Sequence, residues 1–364
     1  MTSANKTKTP LSTSFSQDLA KDGIQLVYTN QYGSGLGISQ KTNFGPRFGV
    51  SYQVTSKLVA RVGYGIFYGA FENRGGDPSL GYNYPFEYVL QFQDSSNGGI
   101  GSVTPTIFPD GSFGSLENGL KGISLTPSSV SGNGLQFRGV QLHYQTPYTE
   151  GFNLTAQYAL TPVDSIQAGY VGSVGRHIES FAGTNNPSQI LPPGTPITPY
   201  LAFPDFANGA SYDITAGSSS YNSLQTKYER RFSHGLNFLA GYTWARTLSD
   251  AGDLLSDGGV GGYRAPQITG ISYDRGLASF NINHSFVASG TYELPIGKGK
   301  ALMGDLHGAG QLLLGGWITN GILTLNSGPP QVIPCQITTT ATTGTCFAQV
   351  IPGVSKYRSG GPAH

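Results

Sequence analysis

Lys227, Glu229 and Arg231 stand two residues apart in this chain. On an extended strand that spacing puts all three on one face. There an ammonium, a carboxylate and a guanidinium can brace one another or meet a polar solute. Gln225 precedes them on the same side, and Arg47 and Arg61 lie on the glycine-rich side of two earlier strands. Arg47, Arg61, Gln225, Lys227, Glu229 and Arg231 are therefore the candidate binding groups. Opposite charges on one strand face support each other weakly, so an ion-pair ladder that only fixes strand register is the simpler reading of the same residues.

Other chemistry finds little footing. The GKGK run at 297–300 lacks the Gly-x-x-x-x-Gly-Lys-Ser/Thr pattern of a phosphate loop, because Lys298 is followed by Gly and Lys300 by Ala. No Gly-x-Ser-x-Gly nucleophile elbow occurs. The histidines at 143, 177, 234, 284, 307 and 364 form no ligand pair at helical spacing, and His234 falls in a turn. No catalytic residue, metal site or cofactor is expected, and the chain does not read as an enzyme. Cys335 and Cys346, in CQITTTATTGTC, suit a small loop disulfide in an oxidising compartment, or stand as two unrelated thiols.

The elements that carry the ladder are strands. From Ser220 to Asp250 two alternating runs flank Ser233-His234-Gly235. Leu224, Thr226, Tyr228 and Phe232 share one side of the first run, and Leu236, Phe238, Ala240, Tyr242 and Trp244 one side of the second. Period two around a glycine-containing centre is a hairpin. The pattern recurs. Phe48, Val50 and Tyr52 precede Leu58, Ala60, Val62, Tyr64, Ile66 and Tyr68. Phe152, Leu154, Ala156, Tyr158 and Leu160 precede Thr161-Pro162-Val163-Asp164, a turn by composition, and Ile166, Ala168 and Tyr170. The last pair is Phe280–Leu294 and Trp317–Ser327, whose longer connection includes a helical turn. Short strands are expected at Ile24–Thr29 and near Tyr88–Phe92.

Between the pairs lie long irregular segments, at about 69–139, 176–219 and 251–279. Strand, short turn, strand, long loop is the loop pattern of an outer-membrane barrel. Strands of ~9–11 residues cross a bilayer at a tilt, and only closure satisfies every backbone group in lipid. Aromatics such as Tyr68, Phe232, Tyr242, Trp244 and Trp317 suit interfacial girdles. Composition agrees: charged residues are only 11%, glycines number 53 of 364, and Tyr and Phe are 21 and 19. Net charge is +1 without a basic cluster, which excludes a nucleic-acid partner. No apolar run reaches the ~18 residues of a membrane helix.

The stretches NFGPRFGVSYQ (43–53), ARVGYGIFYG (60–69), TPYTEGFNLTAQYAL (146–160), SSYNSLQTKYERRFSHGLNFLAGYTWARTLSDA (219–251), INHSFVASGTYELPIGKGK (282–300) and LLGGWITNGILTLNSGPP (313–330) resemble the barrel of Oar-like TonB-dependent receptors, frequent in Acidobacteria and myxobacteria. The likeness covers about residues 40–330. It implies a roughly 22-stranded barrel with a plug, outer-membrane lipid around it, TonB as energy-coupling partner, and uptake of a solute in a Gram-negative outer membrane.

The expectation is thus an all-β, antiparallel up-and-down transmembrane barrel segment of about eight strands, with the long loops at one end. Residues 1–41 form a polar loop with a partial strand, 42–327 the barrel segment, and 328–364 an extracellular-type loop. No plug, TonB box or signal is visible in the sequence, and the reading is of an incomplete receptor chain. The alternative is a self-contained outer-membrane barrel or a surface adhesin, since eight strands can close alone.

Overall fold

The computed structural model describes residues 13–24, 38, 40–69, 83, 137–183, 185, 187, 191–192, 195–196, 198–206, 210–251, 272, 275–330 and 353. The strands are β1 (Arg47–Gln53), β2 (Leu58–Tyr68), β3 (Phe137–Val140), β4 (Tyr148–Ala159), β5 (Asp164–Gly183), β6 (Ala210–Ser233), β7 (Leu236–Ser249), β8 (Gly276–Leu277), β9 (His284–Glu293) and β10 (Ile318–Asn326). They join in one sheet of order β1-β2-β4-β5-β6-β7-β9-β10, with β3 beside β6 and β8 beside β7. Along the main path every pairing is antiparallel; only β3 runs parallel to its partner. Among the described residues β1 and β10 do not pair, so the sheet is open.

Short connections close one end of the sheet, and their chemistry is local. His234 and Gly235 both have positive φ, 51° and 78°. That is the two-residue hairpin turn whose twist matches the flanking strands. A Cβ on Gly235 would lie 3.2 Å from the Glu293 carbonyl oxygen. At the β4–β5 turn the Thr161 hydroxyl donates to Asp164 Oδ2 at 2.6 Å and accepts from the Asp164 N–H at 2.9 Å. Asp164 also accepts from Tyr228 Oη at 2.7 Å and pairs with Arg230 at 3.0 Å. One carboxylate thereby ties the turn to β6. The connection from β9 to β10 is longer and carries the helix α2 (Gly308–Leu314).

The two faces follow the alternation. Val62, Leu154, Tyr170, Leu224 and Trp244 lie opposite one another across β2, β4, β5, β6 and β7. Each is 43–57% exposed. An apolar row this long, open to its surroundings, is a face made for a nonaqueous medium. The next row runs Ala60, Ala156, Ala168, Thr226, Tyr242 and Phe286, and the next Leu58, Tyr158, Ile166, Tyr228, Ala240 and Ala288. Polar residues bound this band on β6, with Asn222 above and Arg230 below. Their separation is roughly 26 Å of strand, or about 20 Å of depth at the tilt of barrel strands.

Three of the irregular segments expected from composition need correction. β5 continues to Gly183 and β6 begins at Ala210, so much of 176–219 is paired strand. The ladder there is interrupted between Gly175 and Ile178 and between Ile178 and Ser180, and His177 has φ 54°. Alternation is lost across these bulges, which hides the strand from a period-two reading. Short strands also occur in the other two segments, as β3 and β8.

The leading segment holds a helix, α1 (Thr13–Lys21), which buries Phe15 and Leu19 on one face. Phe15 meets Phe206 edge-on at 5.9 Å, and Lys21 pairs with Asp205 at 2.7 Å. The Asp205 N–H donates to Asp22 at 3.0 Å. Burial raises the Asp22 carboxyl above the usual carboxylate range, and the hydrogen bond to Asp205 raises Lys21. Ile24 follows the helix outside any strand; the rest of the 24–29 segment, the 88–92 segment and both cysteines lie outside the described residues.

Replacing Gly235 by valine should destabilise the β6–β7 hairpin by roughly 1–2 kcal/mol, because a branched residue resists φ of 78°. Urea titration of the protein in isolated outer membranes, followed by loss of protease resistance, would measure it, with Asn237→Val as the control that should leave the midpoint nearly unchanged.

Candidate lumen-lining site

The polar residues share the opposite face. Arg61, Thr155, Gly169, Gln225, Thr243 and Ser285 are register neighbours across β2, β4, β5, β6, β7 and β9. The adjoining row is Val59, Gln157, Gln167, Lys227, Gly241 and Val287. Arg61 Nη1 donates to Gln157 Oε1 at 2.9 Å, joining the two rows. Gln225 Nε2 donates to Ser223 Oγ at 3.2 Å. Lys227 Nζ reaches Glu229 Oε2 at 3.0 Å, with both side chains part-exposed. In water such a pair contributes no more than about 1 kcal/mol.

Four of the six candidates, Arg61, Gln225, Lys227 and Glu229, thus fall in one belt. Arg47 lies nearer the long-loop end, its guanidinium 4.5 Å from the centre of the Phe67 ring. Gly65 makes the space, for a Cβ there would lie 3.0 Å from that ring and 3.2 Å from Arg47 Cγ. Arg231 is carried to the other end. Its N–H donates to the Val163 carbonyl at 2.8 Å, in the β4–β5 turn, and the ladder shifts between Arg230 and Ser233. It is exposed and apart from the belt.

Glycines recur on this face because it is crowded. A Cβ at Gly63 would lie 2.7 Å from Asn153 Nδ2, and one at Gly169 would lie 2.7 Å from Thr155 Oγ1. Polar side chains lean over their glycine neighbours and cover the backbone.

A second polar cluster, at the long-loop end, escapes a reading by alternation. Asp250 is buried and accepts from both the Ser218 N–H and the Ser218 hydroxyl. Arg275 donates to Ser218 Oγ at 2.7 Å and to Ser220 Oγ at 3.0 Å, and lies 3.5 Å from Asp250. Buried Asn281 accepts from the Thr247 N–H at 2.6 Å. Together they hold the returning chain before β9 against β6 and β7. The only sequence signal is an acid directly after a strand. Among the described residues no group of His, Cys, Asp and Glu is placed to hold a metal ion.

A model of the outer membrane beta barrel domain family matches residues 1–363. The chain belongs to that family. It is an outer-membrane protein, and the exposed apolar face is its lipid face. No curated protein sequence matches it. Among solved structures it is similar to the FrpB iron transporter of Neisseria meningitidis (F3-3 variant), at 10% identity and TM-score 0.36, over 69% of this chain and 24% of that one. It is also similar to the outer membrane transporter YddB of Escherichia coli, at 10% identity and TM-score 0.37, over 69% of this chain and 26% of that one. The chain spans about a quarter of the length of either.

The lipid face of an outer-membrane barrel has an upper and a lower rim. Tyr64 Oη donates to Glu150 at 3.1 Å, and Tyr170 Oη donates to Asn222. The Tyr170 ring lies in the uppermost apolar row and the Tyr64 ring in the row that bounds it, while their hydroxyls reach polar groups, as residues at a headgroup boundary do. Tyr228 does the same at the lower rim through Asp164. Tyr242, expected at a rim, sits inside the band and bonds His284 Nδ1 at 2.8 Å.

Two outcomes are expected. Ala168→Arg, in the middle of the lipid face, should cost about 2–4 kcal/mol in bilayer stability, while Gln167→Arg, one residue away on the polar face, should be nearly neutral. Asp250→Ala should cost about 1.5–3 kcal/mol by stranding its donors and should speed proteolysis near Arg275.

Proposed function

We propose that this chain is part of the wall of a TonB-dependent receptor that takes up a solute across the outer membrane. The observation that carries the proposal is the open sheet with a polar inner belt. Among the described residues β1 and β10 keep one unpaired edge each, which lipid cannot satisfy, and this supports a wall that strands outside the described ones complete. A wall of a wide barrel, lined by Arg61, Gln157, Gln167, Gln225, Lys227 and Glu229, has room for a plug. The resemblance of the strand motifs to Oar-like receptors supplies the class. In this reading Arg61, Gln225, Lys227 and Glu229 face the plug, Arg47 stands on the solute's path above it, and Arg231 marks the periplasmic mouth. The role is binding and passage, with no bond made or broken by these residues.

The test is labelling of the protein in isolated outer membranes. A cysteine at Gln225, with Cys335 and Cys346 replaced by serine, should resist a charged maleimide until mild urea withdraws the plug. Immediate labelling without urea, by contrast, would point to a plug-free barrel, and closure of residues 1–364 alone into a heat-modifiable, protease-resistant species in detergent would sink the receptor reading in favour of a self-contained barrel.

A further inference from the structure

The β9–β10 connection holds an apolar cluster that the sheet leaves uncovered. Leu312 is 84% and Leu313 70% exposed, and Leu302, Met303, Leu314 and Trp317 are exposed beside them. Trp317 ties to Leu313 through its indole, and six large apolar side chains exposed on one connection are more apolar surface than water favours. Their position in the fold identifies what favours it. Trp317 precedes β10 with the parity of Thr319, Gly321, Leu323 and Leu325, whose register partners Tyr292, Gly290, Ala288 and Phe286 lie on the lipid face. The Trp317 carbonyl accepts from the Leu294 N–H at 2.9 Å, which extends that ladder by one step. The Trp317 indole then donates to the Leu313 carbonyl at 2.8 Å. That bond fixes the C-terminal end of α2 on the lipid side of the sheet, at its short-turn rim.

The connection is rigid enough to present this patch. Gln311 Oε1 accepts from the Lys298 N–H at 2.7 Å, and the Gly297 N–H donates to the Leu302 carbonyl at 3.0 Å. Gly297 has φ 123° and Gly316 φ 79°, at the two bends that turn the chain out and back. Lys298 and Lys300 are exposed on the same connection. Lys300 reaches Glu293 at 3.1 Å.

We propose that this connection is an interfacial anchor that lies in the periplasmic leaflet of the outer membrane. Leu312, Leu313 and Leu314 enter the acyl region next to the periplasmic headgroups, Trp317 sits at the headgroup boundary, and Lys298 and Lys300 face lipid phosphates. The occupant of the patch is phospholipid, because the patch is continuous with the lipid face and lies at the end where barrels make their periplasmic turns. This inference rests on the family membership and does not need the receptor reading.

The experiment uses the protein in isolated outer membranes, with Cys335 and Cys346 replaced by serine. Leu313→Cys carries an environment-sensitive fluorophore, and Asp305→Cys in the same connection is the comparison. Phospholipids spin-labelled near the glycerol should quench the probe at 313 several-fold more than the probe at 305, and aqueous iodide should do the reverse. Leu312→Gln together with Leu314→Gln should return the probe at 313 to iodide. Equal iodide quenching at both positions overturns the proposal, as does protection at 313 from both quenchers, which would mean a protein cover. A 313–313 disulfide forming across copies in the unlabelled Leu313→Cys protein would assign the patch to a second copy and overturn it too. Heat-modifiable mobility of each variant confirms that the barrel is inserted, so a null result reports on the anchor, whether or not a plug is present.

Discussion

Every backbone N–H and C=O that enters lipid must find a partner in protein, and the rest of this structure depends on that demand. An antiparallel ladder meets it strand by strand, from β1 to β10. Once the ladder runs unbroken, side chains have only two directions, and the sequence must alternate. The lipid face takes the consequence as rows of Val, Leu, Ala and Tyr that register across the strands. The opposite face takes it as Arg61 on Gln157, Lys227 on Glu229, and polar side chains leaning over Gly63 and Gly169.

The same demand governs how the strands turn. A turn at the membrane boundary has to satisfy its own groups within a few residues. The His234-Gly235 hairpin does so by left-handed backbone, and the Thr161–Asp164 turn by a hydroxyl and a carboxylate. Asp164 reaches further and holds Tyr228 and Arg230, so a turn residue also positions the lower aromatic rim. Rim and turn are one hydrogen-bonded unit.

Much of this was legible in the sequence wherever alternation is strict. The four hairpins, their order, the end that bears the long connections and the outer positions of β1 and β10 follow from period two and from turn composition. The face shared by Arg61, Gln225, Lys227 and Glu229 follows from the same count. What was not legible breaks the count. The bulges around His177 conceal the upper parts of β5 and β6, and α1 offers only Phe15 and Leu19 as a helical signal in nine residues. The ladder's shift after Arg230 moves Arg231 to the turn level. The Asp250, Ser218 and Arg275 cluster joins residues far apart in sequence, and no spacing rule reaches across them.

β5 and β6 rise well past the lipid band. From Asn222, at the upper edge of the band, to Ala210 at its start, β6 runs on for roughly 40 Å of strand. Two paired strands of that length form a lever, and its fulcrum is the bulged stretch from Gly175 to Ser180. A bend of a few degrees at the fulcrum displaces the far end by about one to two ångströms. The Phe15–Phe206 contact joins α1 to the chain that links the tops of these two strands, so the segment before β1 braces the lever from the side. β3, paired with Ala210–Asp213 at the start of β6, holds the lever from another strand, so a substitution at the bulge tilts the cell-surface end against these supports and acts at a distance from its own neighbours.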